Sequence, residues 1–186
     1  MSKISKYAAL IVVLGVALVL FVGTALAKAP RHPYAYTSYM AKCGELPPEE
    51  VLESGSVVRL KGVVTYGRVF GDPYFEGEFE NRFDVKLNME TGSGWVHGKT
   101  VVKPDAYDGT WQGGHFSGQI RSFVFSGRGI DFGTGELEGL VDIVHIKDIS
   151  PSELPAEWSD PCQGEPILGA NIAQGRIIGK KLPVGD

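Results

Sequence analysis

The chain has 186 residues, of which 43% are hydrophobic and 22% charged, with 25 glycines, 11 prolines and a formal net charge of −4. That is enough apolar material for one folded domain and too much for a disordered chain. The acidic balance argues against nucleic acid or an anionic membrane as main partner, because both need a basic footprint, and the pair Lys180-Lys181 reads as a solvated tail.

At the N-terminus, Lys3 and Lys6 precede an apolar run from Ala8 to Val22 that ends in Gly23-Thr24-Ala25-Leu26-Ala27. A charged head, an apolar middle and an Ala-x-Ala exit are the marks of an export signal cleaved after Ala27, so residues 1–27 are expected to be removed and the mature domain to be secreted or periplasmic. The alternative is an uncleaved anchor, because residues 7–27 reach the roughly 20 residues that a membrane helix needs. In that case alone is a membrane partner expected.

Residues 28–55 read as an N-terminal arm. Pro30, Pro33, Tyr34, Tyr36 and Tyr39 suggest irregular chain, and Pro47-Pro48-Glu49-Glu50-Val51-Leu52-Glu53-Ser54-Gly55 suggests one short helix, with prolines and acids in front and glycine at the exit. From Ser56 to Ile149 the period becomes two. Phe79-Glu80-Asn81-Arg82-Phe83-Asp84-Val85-Lys86-Leu87 alternates between apolar and charged positions apart from Asn81, as a strand with one wet face requires. Further strands are expected over 57–66, 95–102, 109–119, 121–128 and 136–147, with turns at 70–73, 90–94, 103–105 and 126–129. Such spacing leaves no room for crossover helices, so neighbours should pair antiparallel. Closing the sheet removes its edges, and the glycines of Asp108-Gly109-Thr110-Trp111-Gln112-Gly113-Gly114-His115-Phe116-Ser117-Gly118 supply the bends while Trp111 and Phe116 fill the space enclosed. The expected fold is all-β: a closed antiparallel barrel at 56–149 with irregular terminal arms. Residues 150–186 form the C-terminal arm, in which Ile167–Leu182 can add a strand or a short helix.

Two cysteines are present, Cys43 and Cys162. In an oxidising compartment they read as one disulfide tying the two arms together. Neither has a His or Cys within zinc-ligand spacing, so no metal site and no cofactor is implied.

The segments Gly109-Thr110-Trp111-Gln112-Gly113, Gly127-Arg128-Gly129 and Gly133-Thr134-Gly135-Glu136-Leu137-Glu138-Gly139-Leu140 resemble the barrel-like relatives of allene oxide cyclase. The resemblance implies a lipocalin-like antiparallel barrel of about eight strands, a fold often used to hold a small apolar molecule. It carries over no cyclase activity, because that enzyme's catalytic positions have no matched counterparts in this chain.

Motifs for chemistry are few. Gly98-Lys99-Thr100 lacks the upstream glycine of a phosphate-binding loop, position 93 being Ser93, and no Ser sits in a Gly-x-Ser-x-Gly elbow. In the segment from Glu136 to Ile143, a period of two puts Glu136, Glu138 and Asp142 on one face and Leu137, Val141 and Ile143 on the other. The acids are expected in solvent, with a raised-pKa general acid or base as the alternative if they face the lumen. His145 falls in register with Leu137 and Ile143, which makes it the candidate catalytic residue on the inner face. Phe83, Trp95, Trp111 and Phe116 are the candidate lining of a ligand site. Three functions are therefore open: a carrier of a small apolar or amphipathic molecule, an acid–base isomerase or cyclase, and an envelope-associated module with a filled core. The sequence leaves the oligomeric state undetermined.

Overall fold

The computed structural model describes residues 33–158 and 160–179, so the signal peptide expected at 1–27 lies outside the described residues. Among the described residues nine strands follow one another: β1 (Tyr34–Leu46), β2 (Glu50–Ser54), β3 (Val57–Phe70), β4 (Gly77–Asn88), β5 (Ser93–Pro104), β6 (Trp111–Arg121), β7 (Val124–Gly133), β8 (Leu140–Ile149) and β9 (Gly169–Gly179). Sequential strands from β3 to β9 pair antiparallel, β1 pairs β9, and β1 also pairs β3, which closes an eight-stranded barrel. The ninth strand, β2, is a short extension on the free half of β3.

The closed antiparallel barrel is as expected, but its boundaries are wider. The N-terminal arm is not irregular: Tyr34–Leu46 is a full wall strand, with Tyr36, Ser38 and Met40 pointing inward. Nor is there a helix at 47–55. Glu50–Ser54 pairs with Val57–Lys61, and Gly55, at φ 59°, begins the two-residue turn between them. A glycine with positive φ ends a helix and turns a hairpin equally well, and a helix of so few residues cannot outweigh a ready strand edge. In the C-terminal arm, Gly169–Gly179 is the strand that completes the barrel.

The turn expected at 126–129 is also misplaced. Gly127 and Gly129 lie inside β7, opposite Gly118 and Phe116, and the chain instead reverses at Ser122-Phe123, where both residues have positive φ (50° and 64°). This hairpin turn usually takes Asn or Gly, so its sequence gives no warning.

The two ends of the barrel differ. One is plugged: Asp72 accepts hydrogen bonds from the Tyr34 hydroxyl (2.9 Å) and the Tyr74 N–H (3.0 Å), shaping the β3–β4 loop that carries Tyr74 and Phe75 inward. Phe75 lies 5.0 Å from Trp111 and 4.3 Å from Tyr36, centroid to centroid, and the Trp111 Nε1–H donates to the Tyr74 carbonyl at 2.7 Å. Leu137, Leu140 and Ile177 complete this plug. Toward the other end the wall carries Val96, Phe116 and Ile120, with Phe83, Val85 and Phe125 packed against them. Cys43 and Cys162 form the expected disulfide, which fastens the segment after β8 to the outer wall, where Trp158 stacks on Phe70.

Candidate functional site

The open end holds a cavity of about 710 Å³, within the range of roughly 300–1,000 Å³ typical of small-molecule sites. Its wall comes from alternate residues of β4, β5 and β6, where the period of two points Phe83, Val85, Val96, Phe116 and Ile120 inward, and Phe125 of β7 completes it. The polar members include Thr65, Asn81 and Thr100, of which Thr100 donates to Asn81 Oδ1 at 2.8 Å. At the rim stand Lys42, Lys147, Asp148 and Glu153 beside the exposed Phe123 and Leu168.

Beneath this mouth lies a second, small cavity of about 30 Å³. Met40, Thr100 and Ile146 line both spaces. The floor is acidic: Asp131 of β7 and Asp142 of β8 are register partners across the ladder, 8% and 3% exposed, and both line the small cavity. The Tyr36 hydroxyl donates to Asp142, lying 2.9 Å from each carboxylate oxygen. To reach it, Tyr36 of β1 passes over Gly175 of the intervening β9, where a Cβ would sit 2.7 Å from the Tyr36 hydroxyl. The Gly114 N–H donates to Asp131. Gly113, at φ 80°, and Gly114 form the irregularity between Gln112 and His115 in the β6–β7 ladder, and a Cβ on Gly114 would collide with the Ile130 carbonyl. The glycines among the aromatics of this segment therefore do more than bend a strand: they let an amide reach an interior carboxyl.

Burial pushes the Asp131 carboxyl up to about 7, with the Gly114 hydrogen bond opposing the rise. Burial likewise pushes Asp142 up to about 7, opposed by the Tyr36 hydrogen bond and reinforced by the neighbouring Asp131. Both are thus poised to hold or release a proton near neutrality. Burial also drives the Tyr36 hydroxyl well above its ordinary range, so it stays a donor. Among the described residues, Ser38 Oγ and Asp131 Oδ1 are buried without a hydrogen-bond partner, and both residues line the small cavity.

Of the four residues expected to line a ligand site, Phe83 and Phe116 are in the mouth wall, and Trp111 lies deeper, fully buried against the floor cavity. Trp95 is not inside: it is 42% exposed and stacks on His97 on the outer face, because Val96 takes the inward place in β5. His145 is likewise outside, exposed and 3.1 Å from Ser126 Oγ. Of the acids expected in solvent, Glu136 and Glu138 are exposed, but Asp142 is buried. Leu137 belongs to a 3₁₀ turn, and the chain re-enters the sheet at Leu140 after Gly139 (φ 86°), so the parity counted from Leu137 is lost. In β8, Leu140, Asp142 and Val144 face inward, while Ile143 and His145 face out. Asp131 and Tyr36 were missed altogether. The available signal was two acids, each flanked by apolar residues, in successive strands that pair as a hairpin: Ile130-Asp131-Phe132 and Val141-Asp142-Ile143. Among the described residues, no three His, Cys, Asp or Glu side chains converge as a metal site.

These features define a small β-barrel closed at one end and open at the other, with an apolar mouth above an acidic floor. Comparison with known families finds no family model that matches the sequence, and comparison with curated proteins finds no match.

Proposed function

We propose that the barrel binds a small apolar or amphipathic molecule through its open end, outside the cytoplasm. The observation that carries this reading is the mouth cavity of about 710 Å³ walled by Phe83, Val96, Phe116 and Ile120. Its size suits a ligand of drug-like dimensions, and its mostly apolar wall with a few polar groups is the usual composition of such sites. The glycine and aromatic segments that resemble the allene oxide cyclase barrel family agree with it, and the Cys43–Cys162 disulfide favours an oxidising compartment. The test is titration with N-phenyl-1-naphthylamine, a neutral apolar fluorophore, backed by native mass spectrometry of protein purified from its host. Saturable 1:1 binding that weakens about tenfold in Val96→Trp, whose new ring would occupy the cavity, supports the reading. Absence of binding, or equal binding by the variant, overturns it.

An acid–base isomerase or cyclase is the second reading. What favours it is not His145 but the pair of interior carboxyls that retain protons near neutral pH. Conversion of a co-purified ligand to an isomer by the wild type and not by Asp142→Asn is its test.

A further inference from the structure

We infer that the floor cavity is a subsite for a primary ammonium group, so that the molecule taken up by the barrel is an amphiphilic amine seated head down. The inference rests on the proposed use of the mouth as a binding cavity and specifies what lies at the far end of the ligand.

Among the described residues, five polar side chains line the floor cavity: Asp131, Asp142, Tyr36, Ser38 and Thr100, of which Thr100 donates to Asn81. Tyr36 is committed to Asp142, whereas Asp131 Oδ1 and the Ser38 hydroxyl, both on side chains more than nine-tenths buried, have no hydrogen-bond partner among the described residues. A buried acceptor without a donor costs about 1–3 kcal/mol, so the site is complementary to a guest that brings donors. An ammonium brings three, and its charge favours the ionised form of carboxyls that otherwise hold their protons up to neutrality.

Other guests fit less well. Among the described residues, no Lys, Arg or His lines the floor cavity, so a carboxylate or phosphate head would meet acids with no countercharge. A quaternary ammonium has no donor and exceeds the space, since about 30 Å³ accommodates a group the size of one or two waters. A calcium ion takes about six to eight oxygen ligands, more than this floor supplies. A hydroxyl head would satisfy one acceptor and leave the carboxyls uncompensated. Of the residues that line both cavities, Met40, Thr100 and Ile146, two are apolar and suit an alkyl chain, and methionine is unbranched and adaptable.

The experiment is calorimetric titration of the full chain near neutral pH with decylamine, 1-decanol, decanoate and decyltrimethylammonium, each below its micellar concentration. The expected result is decylamine bound at least about tenfold more tightly than decanol, with the quaternary amine losing that advantage. In Asp131→Asn/Asp142→Asn the preference should vanish, while retained binding of N-phenyl-1-naphthylamine in the mouth and an unchanged circular dichroism spectrum show that the variant is folded. In Asp148→Asn, which alters an acid at the rim, the preference should survive. Equal affinity for decylamine and decanol in the wild type overturns the ammonium subsite and leaves the mouth reading standing. A preference that survives in the double variant, or disappears in Asp148→Asn, overturns it by placing the charge recognition at the rim. Failure of every decyl compound to bind brings down both readings.

Discussion

Raising the pH should weaken the folded barrel through Asp131 and Asp142, and the size of the effect follows from their burial. In the unfolded chain each carboxyl titrates near 3.8, whereas in the barrel each is pushed up to about 7. The folded state therefore holds the proton more tightly than the unfolded state. Stability from these groups is fully present below the unfolded value and is lost as pH rises through the folded one. A shift of about three units at about 1.4 kcal/mol each gives up to about 4 kcal/mol per carboxyl, and because the two face each other they titrate as a coupled pair. Asp72 and Asp148 are raised as well, also chiefly by burial, so the wild type alone would not isolate the pair. Urea unfolding of the wild type and Asp131→Asn/Asp142→Asn, followed from about pH 4 to about pH 9, does. The midpoints should lie close together at the acid end. At the alkaline end the variant's midpoint should be higher, by about 2 M for a 4 kcal/mol difference and a slope of about 2 kcal/mol per M. A wild-type-to-variant difference that stays constant across this range would refute the claim that the interior carboxyls are neutral in the fold.

Tyr36→Phe removes the donor that opposes the rise at Asp142, so the carboxyl should titrate about one unit higher, read by carbon NMR of the labelled carboxyl. Gly114→Ala places a methyl against the Ile130 carbonyl and should cost about 1–3 kcal/mol in thermal or chemical unfolding. Replacing both cysteines by serine opens a loop spanning 119 residues, for which chain entropy gives about 4–5 kcal/mol; measurement in reducing agent should abolish the difference from wild type.

Much of this barrel was legible in local pattern. The alternation from Phe79 to Leu87 identifies the strand and separates an apolar from a charged face, and Phe79, Phe83 and Val85 of the apolar face are within the wall. The two cysteines paired as their number and expected compartment suggested. Tyr34–Leu46 was less legible, because tyrosines and small residues carry no clean apolar alternation there, and its strand identity comes from having β3 on one side and β9 on the other. Asp142 lies on the face opposite to the one its neighbours suggest. In β7 and β8 the apolar residues flanking the acids face outward, Phe132 at 44% and Ile143 at 43% exposed, while Asp131 and Asp142 are the buried ones. Such inversions of the usual pattern concentrate where a fold gives up stability for a site.

The amino-acid sequence alone determined that the chain forms strands, that neighbours pair antiparallel, and that a disulfide links its distant parts, because period, turn spacing and cysteine number are local quantities. A period of two defines two faces without saying which is the inside, since one residue gained or lost in a turn exchanges them. Sidedness was settled only when β1 closed the sheet between β3 and β9 and the Tyr74–Phe75 loop plugged one end. That closure brought Tyr36, Ser38, Asp131 and Asp142 together from three separate strands, at a depth where burial raises both carboxyls.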